Sequence, residues 1–358
     1  MSHIVLLGGR GYYGQHVRWA LEQLHQVKRI TVASRHPGPD QMQLDVTDPS
    51  SFAALKGCDL IVNCTDTVGA PPDALAQWCL HEGATLMDMG ADTATAERLL
   101  ALASEPNPRG VVVVGVGIFP GLSTVLARQV AQSGAEPPQT LELGVRLSPL
   151  SGAGSGNCRL MAALLAQPGL RIEAGARIEG PAIGGTTRLP YLGAGHQPSL
   201  QVGLPDVVLM ARATEAPQIT THLALVPNIL RWNVRLLAAA VAWSGFLRPA
   251  LQWSLMASLW MVRAVLLRSV STAVEMTLVA DRGLPSVRGL LTRIADGQRG
   301  TAFGVAAAVD GWLRRSEPPS PGVYGLAELL TWDEIQASLT HMNAGDALQI
   351  ADWADDEA

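Results

Sequence analysis

The stretch Ile4-Val5-Leu6-Leu7-Gly8-Gly9-Arg10-Gly11-Tyr12-Tyr13-Gly14 decides the fold of the first third of the chain. Four consecutive apolar residues read as a strand buried on both faces. Residues 15–24 follow, with Val17, Ala20, Leu21 and Leu24 at helical spacing. Between them Gly9, Gly11 and Gly14 spell G-x-G-x-x-G, the strand–turn–helix arrangement that holds the pyrophosphate of a dinucleotide. Each glycine has a task there: a sharp turn, close backbone approach to the phosphates, and tight packing of helix on strand. The helix start then presents free N–H groups and the positive end of its dipole to the anion. Tyr12 and Tyr13 head that helix and join the candidate cofactor contacts.

Further β and α signals alternate downstream. A second strand at 29–35 ends in Ser34-Arg35-His36, where NAD enzymes carry an acidic residue for the ribose 2′-hydroxyl. A carboxylate would repel a 2′-phosphate, whereas a guanidinium bonds it with charge assistance. Ser34 and Arg35 therefore point to NADPH; solvation of the loop before Pro37 is the plainer reading of Arg35. Asp45 follows the third strand, as an adenine contact or as a turn residue. The fourth strand, 60–66, places Asn63, Cys64 and Thr65 at its carboxyl end, near the expected nicotinamide ribose. Asp66 fits there equally well as a helix cap. Strands at 85–90, with Asp88 and Gly90, and at 110–115 complete a six-stranded, doubly wound parallel sheet.

These pieces together resemble the saccharopine dehydrogenase-like NAD(P)-binding oxidoreductases. The resemblance rests on the glycine turn, Ala33-Ser34-Arg35, Asp88-x-Gly90 and Gly117-x-Phe119-Pro120-Gly121-x-Ser123. Later pieces that fit are Ser148-Pro149-Leu150-Ser151-Gly152-Ala153-Gly154, Gly203-Leu204-Pro205-Asp206, and the run from Gly300-Thr301-Ala302-Phe303 to Pro321-Gly322-Val323. It implies an α/β chain: a Rossmann domain, an α+β substrate and dimerisation domain, and C-terminal helices returning to the first. It also implies NAD(P)-dependent redox chemistry on an imine, carbonyl or activated alkene, and carries over no catalytic residue. The expected boundaries are 1–135, 136–295 and 296–358, in a homodimer.

Composition narrows the function. The chain of 358 residues is 48% hydrophobic and 16% charged, with a formal charge of −5 and no basic stripe, so a nucleic-acid partner is not expected. Lys28 and Lys56 are its only lysines, which disfavours Schiff-base chemistry. Cys58, Cys64, Cys79 and Cys158 lack C-x-x-C or zinc spacing, so no metal is expected and a reduced, cytoplasmic setting fits.

In the second half the residues suited to a substrate are Arg188, Tyr191, His196 and Asp206, with Phe119 closing the first domain's last turn. Reduction of C=O or C=N needs a proton donor working near neutrality, for which His196 and a Tyr191 of lowered pKa are the candidates. The plainer readings are a surface charge for Arg188 and a loop residue for His196. The glycine- and serine-rich loop 151–157, before a helix at 158–165, suits an anion or a plain connection. Strands are expected at 139–148, 171–178, 187–192, 219–225 and 271–280. Helices are expected at 288–294 and 301–314, and a frayed acidic tail from 346 to the end.

Residues 229–269 hold Trp232, Trp243, Trp253 and Trp260 in two apolar runs parted by Arg248-Pro249. They read as a hydrophobic helical hairpin with basic ends. It would pack in a dimer interface or over the active site, lie on a membrane surface, or cross the bilayer. The reading that follows is an NADPH-dependent reductase of a small or lipophilic substrate. Its rivals are a membrane-associated reductase of a lipid or polyketide intermediate and a non-catalytic NADP(H) sensor or scaffold.

Overall fold

The computed structural model describes residues 2–148, 159–160, 163–164, 167–228, 230–243, 271–283 and 287–354. The chain divides into two compact units. The first comprises Met1–Val125 and Gln298–Asp346, the second Leu126–Gly297 and Ala347–Ala358.

The first unit is built on strands β1 (Ser2–Leu7), β2 (Val27–Ser34), β3 (Met42–Gln43), β4 (Leu60–Asn63), β5 (Thr85–Asp88), β6 (Val111–Val114) and β15 (Gly322–Gly325). They form a seven-stranded sheet ordered β15-β6-β5-β4-β1-β2-β3, parallel at every pairing. Residues Ile4 to Leu7 and Val111 to Val114 are buried throughout, as unbroken apolar strands covered on both faces must be. Order reverses between β1 and β4, so the ligand crevice of this topology opens beyond their carboxyl ends. Six strands were expected; the seventh, β15, comes from the C-terminal region and pairs with β6. Region 296–358 thus supplies a strand as well as the helix Gly297–Leu313.

The second unit holds β7 (Thr140–Leu147), β8 (Gly169–Glu173), β9 (Ala176–Gly180), β10 (Ile183–Tyr191), β11 (Gly195–Val202), β12 (Gln218–Leu225), β13 (Val274–Asp281), β14 (Val287–Ile294) and β16 (Leu348–Ala354). Its nine-stranded sheet runs β10-β11-β12-β7-β13-β14-β16, with β8 and β9 appended to β12. Among the described residues of this unit, only β7 and β12 pair in parallel. The sheet curls, so that the Thr277 hydroxyl on β13 donates to the Pro190 carbonyl on β10. Arg282 donates to the carbonyls of Val130 (2.6 Å) and Ala131 (3.1 Å) near the end of helix Leu122–Gln132, where a cation also meets the negative pole of the helix dipole.

Several expectations need correction. Residues 288–294 form the strand β14, not a helix: Gly289 lies so close to β13 that a Cβ would sit 2.1 Å from the Leu278 carbonyl oxygen. Of the expected frayed tail from 346, residues 348–354 instead form β16, every residue of which pairs with β14, and 355–358 lie outside the described residues. Residues 171–178 form the β8–β9 hairpin rather than one strand, and His196 lies on a strand, not in a loop.

Of the expected hydrophobic hairpin, the first arm is a helix, Leu230–Trp243. Residues 244–270, and with them the second arm, lie outside the described residues, as does the loop 151–157; of 158–165 only 159–160 and 163–164 are described. Among the described residues, no helix is long and apolar enough to cross a membrane.

Candidate functional site

Glycine is required in the β1–helix turn by contacts as well as by conformation. Gly8 has φ +72°, a left-handed value, and its carbonyl accepts from Gly11 N–H at 2.8 Å. A Cβ on Gly14 would sit 2.2 Å from that carbonyl oxygen and 2.7 Å from Gly9 Cα. The helix Tyr12–Leu21 therefore starts against the turn itself, with Gly11 at its N-cap and no side-chain cap. The amino end of a helix that starts this way is suited to an anion. Tyr12 and Tyr13 meet edge to face at 5.6 Å between ring centres, and the Tyr12 hydroxyl accepts from Gln298. Tyr12 thereby joins this turn to the helix Gly297–Leu313.

At the end of β2, Arg10 reaches across from the glycine turn and donates to the His36 carbonyl at 3.1 Å. Arg35 is exposed beside it in sequence. The buried Ser34 hydroxyl has no hydrogen-bond partner in the structure. A hydroxyl without a partner, an exposed guanidinium and a second one anchored on the turn are groups that could donate to a 2′-phosphate. Arg10 was missed by sequence reasoning, although a basic residue between the motif's first two glycines is the signal that could have found it. Asp45 accepts from the Thr47 N–H (2.9 Å) and hydroxyl (2.7 Å). Those bonds, and the nearby Arg35 and His36, hold its carboxyl below the usual range.

At the carboxyl ends of β4 and β5 the expected residues come together. Asn63 donates to Asp88 Oδ1 at 2.6 Å and accepts from the Thr65 hydroxyl at 2.7 Å. The second Asp88 oxygen accepts from Gly90 N–H at 2.9 Å. Burial pushes Asp88 up to about 6, against the opposing pull of its Asn63 and Gly90 bonds. Cys64, burdened by desolvation and the Asp88 charge, keeps its proton. Its carbonyl lies 2.9 Å from where a Gly8 Cβ would be, so β4 and the glycine turn close on each other. Phe119 stands partly buried in the turn whose ends, Gly117 and Gly121, form an isolated bridge.

The second unit separates the two proton-donor candidates. Tyr191 is 1% exposed, its hydroxyl 2.9 Å from that of Ser199, packed with Leu189, Ala224 and Val279. Burial raises its phenol, opposite to the lowered pKa that catalysis at neutrality asks of it. Strand alternation turns His196 to the other face. Both His196 and Arg188 are exposed there, set diagonally across the β10–β11 ladder on the pairs Pro190–His196 and Arg188–Pro198. Asp206 is fully buried at the start of helix Asp206–Ala213, where a carboxylate complements the helix dipole.

The curled sheet also buries polar groups that sequence reasoning passed over. Glu275 is 2% exposed and takes Arg146 at 2.8 Å and Arg293 at 3.5 Å. His222 is equally buried, with Nε2 3.1 Å from the Thr220 hydroxyl and no partner for Nδ1. Desolvation lowers it to about 4, so it is neutral beside Glu142, 3.9 Å away. No cluster of three metal-ligating side chains occurs among the described residues.

One family model matches the residues that hold the glycine turn and strands β1 to β6. It is that of the saccharopine dehydrogenase NADP binding domain, and it aligns to residues 4–114. Residues 4–114 thus match an NADP-binding domain. With this cofactor domain the chain is an NADP-dependent oxidoreductase, and the match ends at Val114, before the second unit. No curated protein matches the chain. Solved structures similar to it include a C. glutamicum DAP dehydrogenase in complex with DAP, 11% identical, with 92% of this chain and 94% of that one covered and a TM-score of 0.45. An engineered D-amino acid dehydrogenase bound to NADP+ is 14% identical over 94% and 99%, with a TM-score of 0.46. A dihydrodipicolinate reductase from Paenisporosarcina sp. with dipicolinate bound is 12% identical over 92% and 100%, at 0.40.

Proposed function

We propose that the protein is an NADPH-dependent reductase that adds a hydride and a proton across a C=N, C=O or activated C=C bond of a small or lipophilic substrate, working as a homodimer. The observation that carries the cofactor half of this reading is the Ser34 hydroxyl, buried without a partner at the end of β2, next in sequence to Arg35, in a sheet whose β1 turn requires glycine at Gly8 and Gly14. Gly9, Gly11 and Gly14 would hold the pyrophosphate, Ser34 and Arg35 the 2′-phosphate, Asp45 the adenine side, and the Asn63–Thr65 and Asp88–Gly90 segments the nicotinamide ribose. The bound cofactor supplies the hydride.

The protein's remaining tasks are to orient the acceptor and to deliver a proton. His196 suits the second task because it is exposed, whereas the phenol of Tyr191 is sealed in the core with its proton held more tightly. Arg188, on the same face, suits a carboxylate or other anionic group of the substrate. Phe119 gives the first unit an apolar contact.

NADPH oxidation measured against a panel of imines, 2-keto acids and enoyl thioesters tests the reading. Turnover of one class identifies the acceptor. Tight NADPH binding without turnover of any would favour a sensor instead. His196→Ala should lower kcat by 10²-fold or more, the usual weight of a general acid; unchanged turnover would remove it from the mechanism.

A further inference from the structure

We propose that helix Leu230–Trp243 docks the protein on an anionic phospholipid surface. Trp232 and Leu236 are 57% and 71% exposed, the most exposed large apolar side chains among the described residues. With the exposed Ala239 they lie at spacing i, i+4, i+7 and so form one stripe, while Ala238 turns inward and is 7% exposed. Arg231 stacks over the Trp232 ring at 5.2 Å. Arg235, a neighbour along the helix, is steadied by a 2.8 Å bond to the Thr186 hydroxyl on β10.

Charge decides what the stripe meets. The chain carries −5 overall, yet the helix Leu230–Trp243 has no acidic residue and holds the arginines 231 and 235. The charge of the helix thus runs against the net charge of the chain. An exposed Trp–Leu stripe edged with guanidiniums matches the interfacial layer of an anionic membrane, where the indole sits among headgroups and the arginines pair with phosphate. A wholly apolar protein partner would make no use of the arginines.

The full-length protein should co-sediment with mixed phosphatidylglycerol–phosphatidylcholine vesicles and much less with phosphatidylcholine alone. W232S/L236S and, separately, R231E/R235E should each weaken partitioning by about tenfold or more. All four side chains belong to one surface-lying helix, and unchanged NADPH affinity of each variant would verify that the cofactor unit is intact. No binding of the wild type to the anionic vesicles overturns the proposal, as does equal binding by the variants. A wild-type oligomer that W232S/L236S dissociates, without lipid binding by either, assigns the face to a second copy instead. Failure of these arms leaves the cofactor reading untouched, since NADPH affinity is measured independently.

Discussion

The Asn63 amide donates to the buried Asp88 carboxyl at 2.6 Å, joining the carboxyl ends of β4 and β5 beside the sheet's point of reversal. Gly90 N–H and the Thr65 hydroxyl complete the network, so the two segments expected at the nicotinamide ribose are held as one piece. Burial raises Asp88 from an ordinary 3.8 to about 6. A folded pKa above the unfolded one means that the protonated carboxyl favours the fold. Its contribution is complete below about 3.8 and is lost as pH rises through about 6. Against Asp88→Asn, which cannot titrate, the wild type should lose on the order of 2 to 3 kcal/mol between pH 4 and 7.5. Urea unfolding of both proteins at the two pH values measures this, and parallel stabilities would contradict it.

Gly14→Ala places a methyl group 2.2 Å from the Gly8 carbonyl oxygen, backbone that cannot yield without moving the turn. The variant should bind NADPH at least about 100-fold more weakly, because the helix start and the phosphate-facing N–H groups are displaced together. Titration of intrinsic fluorescence with NADPH reads the loss. Wild-type affinity in the variant would show that the turn is not the cofactor's seat.

His222 titrates in the opposite sense to Asp88. Its folded pKa, about 4, lies below the ordinary 6.5 because burial penalises the imidazolium. Stability from the neutral ring is complete above about 6.5 and is lost as pH falls through about 4. Relative to His222→Gln, the wild type should therefore weaken by on the order of 2 to 3 kcal/mol between pH 7 and pH 4. Acid titration of the second unit's unfolding checks it; a difference between the two proteins that does not change with pH would refute the burial account.

Local chemistry made the first unit legible and distance along the chain hid much of the second. The glycine turn, Ser34-Arg35 and Asp88-x-Gly90 are each written within a few consecutive residues, and the structure places them around the same strand ends. β15 was not expected, and β16 read as a tail, because their partners, β6 and β14, lie far away in sequence; only pairing makes either a strand. β14 resembled a helix because its apolar residues are interrupted by Gly289 and Thr292, and the close approach to Leu278 that demands the glycine is a tertiary fact. Tyr191 and His196 are five positions apart, but a hairpin and the pleat send them to opposite faces, which no spacing rule for loops anticipates. The Glu275 and His222 groups went unseen because their burial follows from curling of the sheet.

The central claim is that Ser34 and Arg35 read a 2′-phosphate. Calorimetric titration of the wild type and Arg35→Ala with NADPH and NADH tests it most directly. The charge-assisted bonds of the guanidinium should make NADPH bind at least about tenfold more tightly than NADH, and Arg35→Ala should remove most of that preference while leaving NADH affinity within about twofold. Equal wild-type affinity for the two cofactors, or a preference that survives the substitution, would contradict the account.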